Sequence, residues 1–231
     1  VKSNRNNGSV GFIEFNDGSY FKNIQIVYTK ENANYEEMSK THYGSSIQVN
    51  GTLVLTPTMK QPFEIHAESI ILLGDCAEDY PLQKKKHSFE FLRDIAYLRP
   101  RANTFNAIYR VRNCLAYSVH KYLQERGFMY VQTPEITSND AEGAGQVFHV
   151  IADPKHPNDF FNASACLTVS GQLHAEAFAL AFRDVYTFGP TFRAENSNTT
   201  NHLAEFWMIE PEMAFADLAY DMDVIEDMIK Y

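Results

Sequence analysis

The sequence predicts an all-β domain over residues 1–75, followed by an α/β domain with an antiparallel sheet over residues 104–231. Short alternating apolar segments broken by turns fill the first part, whereas helical and strand-like patterns alternate after Thr104. Strands that come as hairpins among helices are typical of an antiparallel α/β domain. With 231 residues, 45% of them hydrophobic, the chain is long enough to bury two cores.

Composition and charge restrict the class of protein. The three cysteines lie far apart, which argues against a disulfide framework or a zinc site and indicates a reducing compartment. The chain has no run of 18 apolar residues and no signal-peptide pattern, so we expect a cytoplasmic protein without a membrane partner. The net charge of −9 is concentrated in residues 104–231. Any nucleic acid must therefore be bound by local contacts rather than by a basic coat.

Four strand-like segments predict a small Greek-key β-barrel of the oligonucleotide-binding type (OB-fold), and a two-sheet sandwich is the alternative. In chain order they are "VGFIEF", "YFKNIQIVY", "SIQVNGTLVL" and "FEIHAESIILL". The segment "NANYEEMSKTHYG" between the second and the third predicts a short helix that ends at Gly44.

Strand alternation places an aromatic ring beside polar groups on one face of the expected barrel. Phe12 lies on the opposite face from Ile13, and Gln25 lies on the opposite face from Ile26. A phenyl ring on the wetter face can stack on a base, with Gln25 and Arg5 as hydrogen-bonding neighbours. These residues alone favour the simpler interpretation of an exposed edge aromatic among solvated polar groups.

Residues 76–103 form a connecting segment with a basic run. Lys84–Lys86 and three arginines beyond them could contact a phosphate backbone, although a solvated linker is the simpler interpretation. From Thr104, apolar residues spaced by three or four positions predict a helix that ends at Gly127.

Shorter elements complete the expected α/β domain. The segment "FMYVQTPEIT" predicts a strand interrupted by Pro134, which suits a strand end or an edge at an interface. A strand around Phe148, a strand at "CLTV", a helix over residues 171–183, a strand at "VYTF" and an acidic amphipathic helix from Tyr220 follow.

The stretch "FRAENSNTTNHLAEFWMIEPEMAF" predicts a hairpin with charges on one face. Alternation places Arg193 with Glu195 on its first strand, and Phe206 with Glu210 and Glu212 on its second. A nucleotide site needs a guanidinium for a phosphate, a ring for stacking and an acceptor for an exocyclic amine. A cross-strand ion pair on a solvated sheet fits these residues equally well.

Three motifs resemble the class II aminoacyl-tRNA synthetases of the aspartyl, asparaginyl and lysyl subgroup. They are "YVQTPEIT", "LTVSGQL" and "TFGPTFRAENSNTTNHLAEFWMIEPE", and their sequences most resemble those of the asparaginyl members. That family places an anticodon-binding barrel before its catalytic domain, so the resemblance covers nearly the whole chain. It implies an anticodon-binding domain at residues 1–75, a hinge at 76–103 and the N-terminal part of a catalytic domain at 104–231.

The resemblance also implies roles for residues in the hairpin. Arg193 would be the catalytic residue that holds the α-phosphate of ATP, Glu195 would meet the adenine amine, and Phe206 would stack on the adenine ring. His202 would approach the γ-phosphate.

Other positions match the amino-acid and anticodon sites of the family. Two carboxylates would bind the α-ammonium of the amino acid, and these are Glu142 and Glu210. The residues Ser170 and Gln172 would line the same pocket. The anticodon-contacting positions would be Arg5, Phe12 and Gln25, so the resemblance favours base stacking at Phe12.

The implied reaction has ATP as co-substrate with Mg²⁺, and asparagine and tRNA(Asn) as substrates. The carboxylate of the amino acid would attack the α-phosphorus, and the terminal ribose of the tRNA would then take the aminoacyl group. Pro134 belongs to the segment that forms the dimer interface of the family, so a homodimer is expected.

Asparagine is the expected substrate because Ala175 stands where the aspartyl members carry a lysine. The side-chain amide of asparagine can donate to Glu176, whereas aspartate would place two negative charges together. A like-charge contact at about 4 Å costs on the order of 4 kcal/mol at an effective dielectric near 20. Roughly a thousandfold discrimination follows. The alternative is that Ala175 and Glu176 lie on the helix surface.

Two departures from the family pattern lead to further expectations. Asn201 occupies a position where relatives have arginine, and the chain ends at Tyr231, before the third motif with its arginine and its acidic magnesium ligands. We therefore expect residues 1–231 alone to be inactive or nearly so. The competing classes are a non-catalytic tRNA-binding fragment, an asparagine-making enzyme and an aspartyl enzyme of relaxed specificity. The barrel argues against the second, and Ala175 argues against the third.

Overall fold

The computed structural model describes residues 1–143, 146–158 and 160–231. It divides into two compact units, Val1–Arg112 and Asn113–Tyr231. No helix in these described ranges is long and apolar enough to cross a bilayer.

The first unit is built on a five-stranded sheet. Its strands are β1 (Ser3–Asn6), β2 (Val10–Phe15), β3 (Ile24–Thr29), β4 (Ser46–Leu55) and β5 (Phe63–Gly74), and the short helix α1 spans Tyr35–Ser39. The strand order is β1-β2-β3-β5-β4, and only the β3–β5 pair is parallel. Among the described residues β1 and β4 are the edges of this sheet, so the expectation of a closed barrel is corrected to an open sheet.

The sheet of the first unit has a buried face and an accessible face, as strand alternation predicts. The buried face contributes to a core of Ile13, Ile26, Tyr28, Tyr35, Met38, Ile47 and Ile70. Gly11 lies under the Tyr28 ring, and a Cβ at that position would lie 2.0 Å from the ring carbon Cζ. Glycine is therefore required here, because any side chain would displace the fully buried Tyr28.

The connecting segment contains more structure than a linker. The helix α2 spans Phe89–Asp94, and the Ser88 hydroxyl caps it by accepting a hydrogen bond from the Phe91 amide at 3.2 Å. The long helix α3 spans Asn103–Glu125 and confirms the helix expected from Thr104. Gly127 follows with a φ of +86°, so the expected glycine cap is also confirmed.

The second unit contains a three-stranded sheet of order β10-β9-β6. Its strands are β6 (Met129–Tyr130), β9 (Asp184–Phe192) and β10 (Glu205–Met213); β9 and β10 are antiparallel. A separate pair is formed by β7 (Ile136–Thr137) and β8 (Cys166–Leu167). The helices are α4 (Gln172–Phe182) and α5 (Leu218–Lys230). The interruption expected at Pro134 in "FMYVQTPEIT" is confirmed, because β6 and β7 lie on either side of it, whereas the strand expected around Phe148 is only a bridge at His149.

Helices cover one face of the β9–β10 sheet and one end of the other face. The first core cluster comprises Tyr122, Leu123, Phe128, Tyr186 and Val224. On the opposite face α4 packs through Ala175 and Ala179 against Val131 and Val185. Beyond Val185 that face is half-buried at Gly189, Phe206, Met208 and Glu210, although Thr187 and Thr191 are buried, and it carries the candidate site.

Candidate functional site

The floor of the candidate site is the half-buried face of the β9–β10 hairpin beyond Val185. The register pairs Phe206 with Thr191, Met208 with Gly189, Glu210 with Thr187 and Glu212 with Val185. These pairs share one face, which confirms that Phe206, Glu210 and Glu212 lie together, opposite Trp207. Gly189 leaves the middle of the floor open, since a Cβ there would meet no atom within 4 Å.

Arg193 and Phe206 lie against each other at the end of the hairpin. The guanidinium carbon Cζ of Arg193 lies 5.5 Å from the Phe206 ring centroid. Arg193 Nε and Nη2 also donate to the Val169 carbonyl at 3.4 and 3.5 Å. A purine stacked between the two groups would need two contact layers, about 7 Å in all. The ring of a nucleotide can therefore stack on Phe206 only if Arg193 turns aside from it.

Glu210 is held in place by the start of α4. The Ser170 hydroxyl donates to Glu210 Oε1, and the Gly171 amide donates to Glu210 Oε2 at 3.1 Å. A Cβ on Gly171 would lie 2.7 Å from Thr187 Cγ2 and 3.2 Å from Glu210 Oε2. Only glycine lets this loop approach the floor so closely.

Gln172 and Glu176 extend this polar cluster along α4. Gln172 Nε2 donates to Glu176 Oε1 at 2.9 Å, one helical turn away. Ala175 between them is fully buried, so the alternative that it lies on the helix surface is wrong, although Glu176 itself is exposed. Ser170, Gln172, Glu176 and Glu210 thus lie in one connected region of the second unit.

Glu212 belongs to the same acidic region, although its sequence position was not enough to assign it a site role. Burial, together with the nearby carboxylates of Glu176, Glu210 and Asp221, raises the pKa of Glu212 to about 7. The sequence signal that could have identified Glu212 is strand alternation, which places it on the same face as Glu210. Several carboxylates around one partly buried position can attract an ammonium group.

The loop between the strands holds two of the expected nucleotide contacts. The β9 ladder ends at Phe192, so the expectation that Arg193 and Glu195 lie on the strand is wrong: Arg193 directly follows the strand, and Glu195 is exposed in the loop. The chain turns away because the Ala194 amide donates to the Gln146 carbonyl at 2.8 Å. His202 is exposed, and its Nδ1 is hydrogen-bonded to the Thr199 hydroxyl. The side chain of Glu142 lies outside the described residues.

The accessible face of the first unit brings together the three expected anticodon contacts. Arg5 and Phe12 are register partners on β1 and β2, and the Arg5 Cζ lies 5.9 Å from the Phe12 ring centroid. Gln25 on β3 donates through Nε2 to Glu64 Oε2 at 2.8 Å. Glu64 is only 7% exposed and was missed in the sequence, because its partner Gln25 lies 39 residues away along the chain.

Glu64 is kept charged by its hydrogen bonds. Burial alone would raise its pKa, but the hydrogen bonds from His66, Gln25 and Gln61 lower the pKa of Glu64 overall. The His66 Nε2 lies 2.8 Å from Glu64 Oε1. The carboxylate therefore acts as a fixed acceptor beneath the accessible face.

The first unit has a face with aromatic and polar side chains. The second has an antiparallel hairpin with a guanidinium, a ring and carboxylates. Together these features are those of the class II aminoacyl-tRNA synthetases. Comparison with protein families agrees with this class. The model described as "tRNA synthetases class II (D, K and N)" matches residues 88–231, and that of the "OB-fold nucleic acid binding domain" matches residues 1–73. The chain belongs to the class II tRNA synthetase family whose members are specific for aspartate, lysine and asparagine.

Similar proteins include several asparagine–tRNA ligases. The chain is 60% identical over 243 residues to the asparagine–tRNA ligase of Clostridium acetobutylicum, and the match covers all of this chain and 52% of that protein. It is 56% identical to the ligase of Desulfitobacterium hafniense with the same coverage. A crystal structure of asparaginyl-tRNA synthetase from Pyrococcus horikoshii, complexed with asparaginyl-adenylate, superposes with a TM-score of 0.88 at 28% identity and covers all of this chain and 52% of that one. The chain thus spans about half the length of these relatives.

Proposed function

We propose that the protein is an asparagine–tRNA ligase, which activates asparagine with ATP and transfers it to tRNA(Asn). The observation that carries this proposal is the contact between Arg193 and Phe206, in which the guanidinium carbon lies 5.5 Å from the ring centroid, together with the open position at Gly189 on the same hairpin. The names of the relatives support asparagine as the amino acid.

ATP binding would use the hairpin and its loop. The adenine stacks on Phe206 after Arg193 leaves the ring, and Arg193 then pairs with the α-phosphate, a better partner than the Val169 carbonyl because both groups are charged. Glu195 and His202 would follow as the loop adjusts to the adenine amine and the γ-phosphate.

Amino-acid binding would use the acidic region beside α4. Glu210 is already oriented by Ser170 and Gly171, so it can accept from the α-ammonium without reorganisation. Glu142 would provide a second carboxylate. Glu176 accepts from Gln172 and retains lone pairs for the side-chain NH₂ of asparagine, whereas the carboxylate of aspartate would be repelled.

The chemical step follows from this placement. The substrate carboxylate attacks the α-phosphorus, the bond to the bridging oxygen breaks, and pyrophosphate leaves with the electron pair. Arg193 stabilises the charge that builds on the phosphoryl oxygens, so catalysis depends on positioning and electrostatics rather than on a covalent enzyme intermediate. The proposal that Mg²⁺ takes part is based on family membership. Among the described residues, no group of three or more His, Cys, Asp or Glu is placed to hold a metal ion.

The remaining proposals concern the domains and the assembly. Residues 1–75 would bind the anticodon through Arg5, Phe12 and Gln25, residues 76–103 would be the hinge, and residues 104–231 would belong to the catalytic domain. A homodimer through the Pro134 segment and a cytoplasmic location complete the proposal.

The proposal is tested by turnover in a chimera. Residues 1–231 are joined to the segment of the Clostridium acetobutylicum relative that the match does not cover, and ATP–pyrophosphate exchange is measured with asparagine and with aspartate. We expect exchange with asparagine to be about a thousandfold faster. Arg193→Ala should lower it by roughly a hundredfold or more, while the exposed control Arg112→Ala should not. Equal exchange with the two amino acids would overturn the assignment of asparagine.

A further inference from the structure

A basic cavity of about 790 Å³ opens in the first unit, beside the β-sheet and the segment that follows it. Five cations from separate parts of the chain line this cavity: Lys2, Lys84, Lys85, Lys86 and Arg101. Among the described residues that line it, Glu14 is the only acid. Such a concentration of positive charge is unexpected in a protein with a net charge of −9.

Most of these cations lack an acidic partner. Lys84 Nζ lies 3.5 Å from Glu14 Oε2, but the other four form no ion pair with any residue in the described part of the chain. Lys2 Nζ instead donates to the Arg101 carbonyl at 3.0 Å. Burial and the neighbouring Arg101 guanidinium lower the pKa of Lys2. A bound anion would relieve the repulsion between these like charges.

The cavity continues the face that carries the expected anticodon contacts. Glu14 in its wall is the register partner of Gln25 and lies two residues beyond Phe12 on β2. Two residues along a strand span about 7 Å and return to the same face. One RNA strand can therefore place a base on Phe12 and a nearby phosphate at the cavity.

We propose that this cavity binds backbone phosphates of the same RNA whose bases meet Phe12 and Gln25, with Lys84–Lys86 as the main phosphate-binding segment. The inference rests on the proposed function, in which a tRNA is the partner. Lysine ammonium groups bind phosphate oxygens as point charges without a fixed geometry, so they suit a backbone contact that carries no sequence information. The contact would supply affinity, while Arg5, Phe12 and Gln25 would supply the choice of anticodon.

The test compares two triple variants with the same change in charge. Lys84→Ala/Lys85→Ala/Lys86→Ala removes the basic run, and Lys30→Ala/Lys40→Ala/Lys60→Ala removes three exposed lysines outside the cavity. Binding of a fluorescent tRNA(Asn) transcript is measured by anisotropy over a series of KCl concentrations. We expect the first variant to bind about tenfold more weakly at low salt and to lose about 2–3 from the slope of log K against log salt. Equal slopes for the two variants would overturn the proposal.

Three further arms separate the possible causes. Replacing the same lysines by arginine should keep the slope, and thermal melting should show that all variants are folded. A transcript with another anticodon tests the proposed function by itself: if the wild type binds both transcripts equally, the anticodon assignment fails, while the slope still reports on the cavity. Inorganic tripolyphosphate tests a free anion as the occupant. If the alanine variant loses tripolyphosphate binding but keeps its RNA affinity, the cavity does not bind RNA and the proposal is overturned.

Discussion

Gln25 Nε2 donates a hydrogen bond of 2.8 Å to Oε2 of the buried Glu64, so a carboxylate on β5 fixes the direction of an amide on β3. Because Nε2 is used in this bond, the Gln25 carbonyl oxygen remains the group that can accept a hydrogen bond from a base. Gln25 should therefore act mainly as an acceptor towards a base. Glu64 is a positioning residue in this arrangement, since it acts through Gln25.

Substituting Glu64 by glutamine should weaken the choice of anticodon more than the affinity for RNA. The neutral amide can donate to Gln25 and allow it to reverse, so both orientations become accessible. We expect the ratio of affinities for tRNA(Asn) and for a transcript with another anticodon to fall about tenfold. This is the lower end of the discrimination that one specific contact to a base provides. The control is Glu68→Gln, which removes an exposed carboxylate on the same strand. A uniform loss of affinity for both transcripts would contradict the positioning role.

Substitution of two glycines in the second unit should have different effects, one on stability and the other on ATP binding. Gly171→Ala would place a Cβ 2.7 Å from Thr187 Cγ2 and 2.8 Å from Thr133 Oγ1, so it should lower the free energy of unfolding by about 1–3 kcal/mol. Gly189→Leu meets open space at its Cβ, so urea denaturation should show little loss of stability. In the chimera, the leucine should fill the floor and weaken ATP binding tenfold or more, since a stacked adenine would collide with it. Unchanged ATP affinity would show that the nucleotide does not lie over Gly189.

The features that the sequence predicted correctly depend on the periodicity of apolar and polar residues along a single element. Alternation along β10 is enough to place Phe206, Glu210 and Glu212 on one face, because every second residue of a strand points the same way. The edge strand β1, "SNRN", has no apolar alternation and exists only through its pairing with β2, so no local pattern shows it. The bond between Glu64 and Gln25 likewise joins residues 39 positions apart, which no local pattern shows.

The interruption expected at Pro134 is confirmed, since β6 and β7 lie on either side of it and proline has no amide hydrogen for a ladder. An error in the hairpin had a different physical cause. Arg193 and Glu195 were placed on a strand because alternation cannot show where a ladder stops. Its end at Phe192 is set by the hydrogen bond between Ala194 and Gln146, which is a tertiary contact.

Glu212 should make the stability of the second unit depend on pH. Its pKa is raised from 4.5 to about 7 by burial and by the carboxylates of Glu176, Glu210 and Asp221, so the folded chain holds the proton more tightly than the unfolded chain. The free energy of unfolding should therefore fall as the pH rises between these two values. Glu212→Gln should match the wild type near about pH 5 and exceed it by about 1 kcal/mol near about pH 8, allowing for solvent screening.

Urea denaturation at the two pH values measures this difference. The control is Glu205→Gln at the start of the same strand, where the carboxylate is exposed. A difference between Glu212→Gln and wild type that stays constant with pH would show that Glu212 titrates normally.

Ala175 offers a test of how the acidic region selects its amino acid. It packs against Val185, whose register partner is Glu212, so a lysine at position 175 could run its apolar stem past Val185 and place its ammonium among the carboxylates. Ala175→Leu has similar bulk without the charge, and both variants should lose stability through overpacking. Near about pH 8 the lysine variant should be more stable than the leucine variant by about 1 kcal/mol, because its ammonium pairs with an ionised Glu212.

That advantage should shrink near about pH 5, where Glu212 is protonated, and urea denaturation of both variants measures it. In the chimera, the added positive charge should also offset the repulsion of aspartate by Glu176, so the preference for asparagine in pyrophosphate exchange should fall about tenfold or more. Equal stability of the two variants at both pH values would show that the lysine does not reach the carboxylates. The amino-acid preference would then have to depend on Glu176 alone, because the charge at position 175 could not act on the substrate.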